Sequence, residues 1–493
     1  MQQVYDIAII GGGINGCGCA ADASSRGLSV FLCEQDDLAA HTSSRSTKLI
    51  HGGLRYLEQR DFSLVKHALE EREVLMQSVP YLVRPLPLFL PYKKNMRPQW
   101  FIRLGLFIYD HLSRKNSLPK SKWLKRLKDP VYFKSLQDTF DRGFLFYDCT
   151  ADDARLTLVN ALSAKNNGAK ICTRTRLLKA EVQDNQWILT MHTANQTQFS
   201  IRAKAVINAA GPWAEGVNHL LNVSNTKSLS LIKGSHLVVH KLYEGNHAYF
   251  LQHSDQRIVF VIPYYNHTMI GTTDVPYSGD RSPIHIDPNE IDYLLNIVNQ
   301  YFKKQVKPHE IIHSWSGLRP LIAAPGRSPQ ALSRDYTWQF FTNPAPTLTI
   351  YGGKITTYRQ LSKKIVDTLR PIFPDMGESV TDKIHLPGAN YKGKSFADYS
   401  YWAKEKYHWL AEDTLNRYLS LYGTRAELIL KDARQISDLG THFGCTLYQA
   451  EVDYLIQEEW AKTSEDILWR RTKLGFDVKK ATKSALENYM SSI

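Results

Sequence analysis

Val4-Tyr5-Asp6-Ile7-Ala8-Ile9-Ile10-Gly11-Gly12-Gly13-Ile14-Asn15-Gly16 is the stretch on which the reading of this chain turns. A short apolar run rich in β-branched residues stops at three glycines, the pattern of a buried parallel strand. Gly11-x-Gly13-x-x-Gly16 then leads into Ala20-Ala21-Asp22-Ala23, which suits a helix, and a second apolar strand, Leu28 to Leu32, ends at Glu34. Gly11 permits the tight turn, Gly13 lets backbone approach a pyrophosphate, and Gly16 lets the helix pack closely on the strand. The helix N-terminus offers unpaired N–H groups and a positive dipole end to phosphates. Glu34 lies 18 residues after Gly16, where an acid can accept from the adenosine ribose hydroxyls. A lone GxGxxG is weak, but strand, helix, second strand and terminal acid in order predict a dinucleotide-binding unit at the start of the chain. NAD and FAD remain equally compatible with the fingerprint alone.

The 493 residues are enough for two or three domains, and 22% charged residues argue against wholesale disorder. The six cysteines, Cys17, Cys19, Cys33, Cys149, Cys172 and Cys445, show no CxxC pair, and no His cluster has zinc spacing. Neither a disulfide nor a structural metal is expected. No basic residue precedes the apolar run Val4–Ile10, and no stretch of about eighteen apolar residues occurs. A cytoplasmic location is therefore the default expectation. The net charge of +13 calls for nucleic acid, anionic lipid or an anionic substrate.

Several later segments lie in a telling order. Thr42-Ser43-Ser44-Arg45-Ser46-Thr47-Lys48 runs into Leu49-Ile50-His51-Gly52-Gly53-Leu54-Arg55-Tyr56-Leu57. There follow Ala205-Val-Ile-Asn-Ala-Ala-Gly211-Pro212-Trp213, Ile232-Lys-Gly-Ser-His236, Ile270-Gly-Thr-Thr-Asp274, Ser316-Gly-Leu-Arg319-Pro320 and Tyr351-Gly-Gly-Lys354-Ile-Thr-Thr-Tyr-Arg359. Together they resemble the respiratory, FAD-dependent glycerol-3-phosphate dehydrogenases, and Ile467-Leu-Trp-Arg-Arg-Thr-Lys473 resembles that family's last domain. Thr47 stands where the family more often carries Ser and keeps the hydroxyl.

The resemblance implies an α/β chain with three parts: an FAD-binding, Rossmann-like domain of the D-amino-acid-oxidase type, an α+β substrate domain on an antiparallel sheet, and a helical C-terminal cap. The expected boundaries are residues 1–90, 150–215 and 345–375 for FAD, 91–149 and 216–344 for substrate, and 386–493 for the cap. Patterning agrees: Arg257-Ile-Val-Phe-Val-Ile262 alternates like a strand, Leu410 to Tyr489 has helical spacing, and Pro371 to Gly388 reads as a linker. The glycines of 52–53, 211 and 352–353 would admit the flavin. Ser44, Ser46, Thr47, Lys48, Trp213, Asp274, Gly353, Lys354 and Thr356 complete the implied cofactor set with Gly11, Gly13, Gly16, Glu34, Gly52, Gly53 and Gly211.

Oxidising a secondary alcohol by hydride transfer needs a base for the hydroxyl proton and an acceptor facing the carbon, which flavin N5 supplies. His236 matches the family's active-site histidine, and His51 is the competing candidate. Arg55, Arg319, Arg334 and Lys354 match its phosphate-holding cations, with Tyr56 adding a hydroxyl, and Arg319 is also placed to stabilise the alkoxide. The implied substrate is glycerol 3-phosphate, the implied acceptor a quinone, and a homodimer is compatible with the resemblance. An amino-acid oxidase on the same fold would need one Arg for a carboxylate rather than four cations, and a flavoprotein without activity would lack the base or the anion site.

Lys93 to Lys134 holds twelve basic residues against two acids, Asp110 and Asp129, interleaved with Trp100, Phe101, Leu104, Phe107 and Trp123. That mixture suits a helix lying on an anionic membrane surface, here the inner face of the cytoplasmic membrane. No recognised nucleic-acid-binding motif accompanies the charge, so nucleic acid is not expected.

Overall fold

The computed structural model describes residues 3–58, 60–93, 97–224, 227–255, 257–323 and 335–493. Its first sheet is built on the predicted unit: strand Val4–Ile10, helix Ile14–Ser25 and strand Val30–Cys33. The strand order is Thr337–Phe341, Thr347–Tyr351, Gln198–Asn208, Val4–Ile10, Val30–Cys33, Lys170–Cys172, parallel except for the first pair. An antiparallel hairpin, Thr175–Gln183 with Gln186–Thr193, pairs with the first half of Gln198–Asn208. Helices Ile14–Ser25, Asp153–Asn166 and Tyr358–Thr368 cover the sheet. Their small inward residues, such as Cys17, Ala20 and Ala161, share a core with Ile7, Ile9 and Leu32.

The second sheet has ten strands and is antiparallel except where Ala248–Gln252 runs parallel to Val83–Tyr92. Leu229–His240 lies between His267–Gly271 on one side and the long Ile311–Ile322 on the other. Helix Pro288–Tyr301, started by a capping box of Asp287 and Glu290, packs on this sheet. The sheets divide the chain differently from the sequence reading at three strands. Leu49–Ile50 and Val83–Tyr92, expected with the FAD segment 1–90, belong to the second sheet, while Thr337–Phe341, expected with the substrate part, edges the first.

The last domain is helical, as the spacing predicts, but contains a small hairpin, His442–Gly444 with Leu447–Tyr448, and a π-helix at Asp466–Arg471. The presumed linker 371–388 is pinned rather than loose: Gly377 N donates to Arg26 O, Ser379 Oγ to Asp22, and Leu386 N to Ser78 O. No disulfide links the six cysteines, of which four are buried. Among the described residues no helix is long and apolar enough to cross a membrane.

Candidate active site and cofactor cleft

A cleft of about 480 Å³ opens at the carboxyl ends of the parallel strands, where sheets of this kind bind ligands. Its walls are the Gly11–Gly13 turn, Glu34, the 39–43 loop, residues 175–177, the 209–213 turn and Gly352–Gly353. Gly11 has φ +113°, and a Cβ there would lie 2.6 Å from the carbonyl oxygen of Ala209. At Gly16 a Cβ would meet the Gly11 carbonyl at 1.9 Å. Both positions therefore demand glycine, for the reasons the motif implies. Glu34 accepts from Gly12 N at 2.6 Å and from Asp36 N at 2.9 Å, and burial pushes its carboxyl above the usual range.

Three cleft residues escaped the sequence reading. Ser43 Oγ accepts from Ile14 N at 2.9 Å, tying the hydroxyl-rich loop to the helix N-terminus. Asn15 donates to Gly352 O at 3.2 Å, while its buried Oδ1 lacks a partner. His41 packs on Trp213 with ring centroids 4.5 Å apart. Asn15 sits at a variable position of the motif, so only structure could single it out. The long cleft, its positive-φ glycines and its orphaned acceptor suit a dinucleotide carrying both phosphates and donors.

The hydroxyl-rich loop divides its work. Ser46 Oγ and Lys48 Nζ both bind Asp153, which opens the helix Asp153–Asn166, and Ser44 Oγ bonds His41 O. These three predicted cofactor residues thus brace the loop. Asp153, more than a hundred residues away, carries no local signal for this role. Thr47 instead turns toward the second sheet, where its Oγ1 meets His236 Nε2 at 3.0 Å.

Of the predicted substrate residues, Arg319 lies on the strand of the second sheet that meets the first, and Lys354 and Tyr56 meet each other. Arg319, on Ile311–Ile322, lies against Gly234, whose Cβ would clash with the guanidinium at 2.3 Å. Its fork is held by Asp274 Oδ1 at 2.6 Å, Thr272 Oγ1 at 2.9 Å and Thr273 O at 3.2 Å. Asp274, expected among the cofactor contacts, is the counter-ion of this arginine. The next residue, Pro320, brings its carbonyl to the Gly352 turn, 3.7 Å from where a Cβ would stand. Lys354 caps the short helix Ile355–Thr357 and sets its Nζ 3.7 Å from the Tyr56 ring centroid. Arg55 shares the turn Leu54–Leu57 with Tyr56. Arg334 lies outside the described residues.

His51 is joined to the same corner by Thr356, whose Oγ1 accepts from His51 N, and its ring faces Phe260. Gly52 and Gly53 are also glycines because of the protein packed against them. A Cβ at Gly52 would strike Leu69 and Tyr109, and one at Gly53 the Tyr56 ring. His236 is fully buried, stacked on Trp315, with Nδ1 lacking a partner. Burial first, then the positive charges of Arg319 and Lys48, hold its pKa well below 6.5, so it is a neutral acceptor at physiological pH.

Residues 6–359 match the family model described as FAD dependent oxidoreductase, and residues 379–492 that of the C-terminal domain of alpha-glycerophosphate oxidase. Over its full length the chain is 46% identical to a glycerol-3-phosphate dehydrogenase of Pseudomonas aeruginosa, covering 96% of that protein. It is 42% identical to the aerobic glycerol-3-phosphate dehydrogenase of Escherichia coli and 41% identical to a D-erythritol 1-phosphate dehydrogenase of Brucella abortus, covering 98% of each from 99% of this chain. The solved structure of the Bacillus halodurans glycerol-3-phosphate dehydrogenase complexed with FAD superposes with a TM-score of 0.77 at 25% identity, over 99% of this chain and 94% of that one.

Proposed function

The chain belongs to the aerobic, FAD-dependent glycerol-3-phosphate dehydrogenases, and on that premise we propose that it oxidises sn-glycerol 3-phosphate to dihydroxyacetone phosphate at a membrane surface and delivers the electrons to a quinone. It is an FAD-dependent oxidoreductase. The observation that supports the substrate is the pairing of Arg319 with the neutral His236 nearby, while the next residue, Pro320, packs against the Gly352 wall of the cofactor cleft.

Bound FAD supplies the hydride acceptor. Arg319, Lys354 and Arg55 hold the phosphate, and Asp274 fixes the plane of the Arg319 fork so that its donors are set before substrate arrives. The hydroxyl proton goes to His236. Because His236 is buried and its Nε2 is bonded to the half-buried Thr47 hydroxyl, the proton travels through Thr47 Oγ1. A phosphate dianion beside Arg319 offsets one of the charges that depress the histidine, so substrate binding itself raises the proton affinity of the base.

Anaerobic mixing of the holoenzyme with glycerol 3-phosphate should bleach the oxidised flavin band. D-erythritol 1-phosphate offers the same phosphate and secondary alcohol on a longer chain, and a relative of nearly equal identity is named for it, so it forms the second arm. Faster bleaching with erythritol 1-phosphate would transfer the substrate assignment. If amino acids bleached the band and neither polyol phosphate did, the reading would fall.

The helix Gln99–His111 supports the membrane part. Ile102, Leu106 and Tyr109 face inward, yet Trp100, Leu104 and Phe107 form a second apolar stripe that is 68%, 49% and 59% exposed. A helix apolar on both faces with exposed lysines around it suits an interfacial position. Of the twelve basic residues of this region, Lys94 lies outside the described residues. The holoenzyme should float with vesicles containing anionic lipid, reduce a quinone dissolved in them, and lose both properties when Trp100 and Phe107 are changed to glutamate. Equal flotation of that variant would remove the helix from the role.

A further inference from the structure

The π-helix Asp466–Arg471 of the C-terminal domain reaches two neighbouring walls of the cofactor cleft without lining it. Toward one wall, Arg470 Nε donates to Asp37 Oδ2 at 2.6 Å, and Arg471 donates with NH2 to Oδ1 at 2.8 Å and with NH1 to Oδ2. Asp37 is buried three residues after Glu34, and its carbonyl accepts from Ala40 N, so it anchors the loop whose residues 39–43 form that wall. Toward the other wall, Asp466 accepts from Arg174 NH2 at 2.8 and 3.0 Å. Arg174 N donates to Asp36 O, and the residues that follow, Thr175 to Leu177, line the cleft. Arg470 closes the chain by donating to Asp466 as well as to Asp37. Four charges, Asp37, Arg470, Asp466 and Arg174, thus alternate in sign along two neighbouring walls, and Arg471 is a second partner of Asp37.

We propose that this ionic chain is a cofactor clamp, through which the C-terminal domain fixes the shape of the Glu34-lined end of the cleft for the nucleotide half of FAD. The inference rests on the reading that this cleft holds FAD. Nothing in the clamp touches the groups that meet substrate, so it acts on cofactor residence and leaves the oxidation to the seam between the sheets. Asp37 keeps Arg471 when Arg470 is lost, and Asp466 keeps Arg174, so breaking one link loosens the wall without leaving a buried charge unpaired. Arg470, Asp466 and Arg174 are positioning residues in this scheme, since they reach the cofactor only through the walls.

The test uses full-length holoenzyme and the fluorescence that appears when FAD leaves on dilution. Arg470→Gln, which breaks its links to Asp37, Asp466 and the exposed Glu465 at a side chain that is 11% exposed, should raise the FAD release rate about tenfold, equivalent to about 1.4 kcal/mol. Arg174→Gln, releasing one wall, should raise it less. ADP, the nucleotide half alone, should bind the Arg470→Gln apoprotein more weakly by a similar factor, while the rate of flavin reduction by substrate in excess FAD stays within about twofold. Arg470→Lys, able to reach one carboxylate at a time, should fall between. Glu34→Ala serves as a marker inside the cleft. If Glu34→Ala speeds release and Arg470→Gln does not, the clamp is overturned. If neither changes release, the cleft reading beneath it is overturned. If Arg470→Gln lowers flavin reduction in excess FAD and the melting temperature of the apoprotein as strongly as it speeds release, the π-helix only docks the domain.

Discussion

Replacing Arg319 by methionine is expected to lower kcat/KM for glycerol 3-phosphate by about a thousandfold, close to 4 kcal/mol of transition-state stabilisation, with FAD still bound. Methionine preserves most of the volume packed over Gly234 while removing the fork that Asp274 and Thr272 hold in place. Part of the loss is the missing phosphate partner. Another part is Asp274, whose carboxylate would stay nearly buried beside an incoming dianion. The double variant Arg319→Met with Asp274→Asn should therefore recover part of the activity, whereas Asp274→Asn alone should raise KM more than it lowers kcat. Steady-state kinetics with the flavin spectrum recorded in parallel decide the matter. A single variant within about tenfold of the wild type would remove Arg319 from the anion site.

Arg319 also shows what a linear reading can reach. Its motif, Ser316-Gly-Leu-Arg319-Pro320, and the Gly234 that accommodates it are both legible in the chain, because each is a local pattern. The opening strand, the glycine turn and Glu34 were legible for the same reason: the residues that must meet lie within one βαβ unit, and steric demands at Gly11 and Gly16 leave one residue type. Val83–Tyr92 was not legible as a sheet strand. Its prolines at 85, 87 and 91 argue against a central strand, yet they share one parity, so their missing donors fall on one side, where only Leu88 and Phe89 pair, and the other side pairs along its length. The partners of Lys48 and Ser46 were hidden too. Asp153 is far along the chain, and a hydroxyl or ammonium in a glycine-rich loop looks the same whether it faces a cofactor or a carboxylate. The same holds for Arg470 and Arg471, which resemble a solvated basic pair until the fold brings Asp37 to them.

His236→Ala is expected to slow flavin reduction by about a hundredfold or more, within the usual range for a general base, and Thr47→Val should reproduce most of that loss. The two act in series, since the threonine hydroxyl is the group in contact with the buried Nε2. The double variant should therefore be little worse than either single one. Thr47→Ser keeps the hydroxyl and should stay near the wild type, which separates proton transfer from packing. The pH profile adds a second constraint. A base works in its neutral form, and burial, Arg319 and Lys48 hold His236 below 6.5, so its acid limb in the free enzyme lies below that value and the rate should not climb through neutrality on its account. Stability should follow the same sign. The unfolded histidine gains a proton as pH falls past about 6.5 while the folded one resists, so the folded state is fully favoured above that value and loses ground below it. His236→Ala should remove that part of the acid sensitivity. Imidazole in the buffer should restore some flavin reduction to the alanine variant by entering the space beside Trp315. If His236→Ala reduced its flavin at the wild-type rate, the role would pass to His51, which Thr356 holds at the same corner of the pocket.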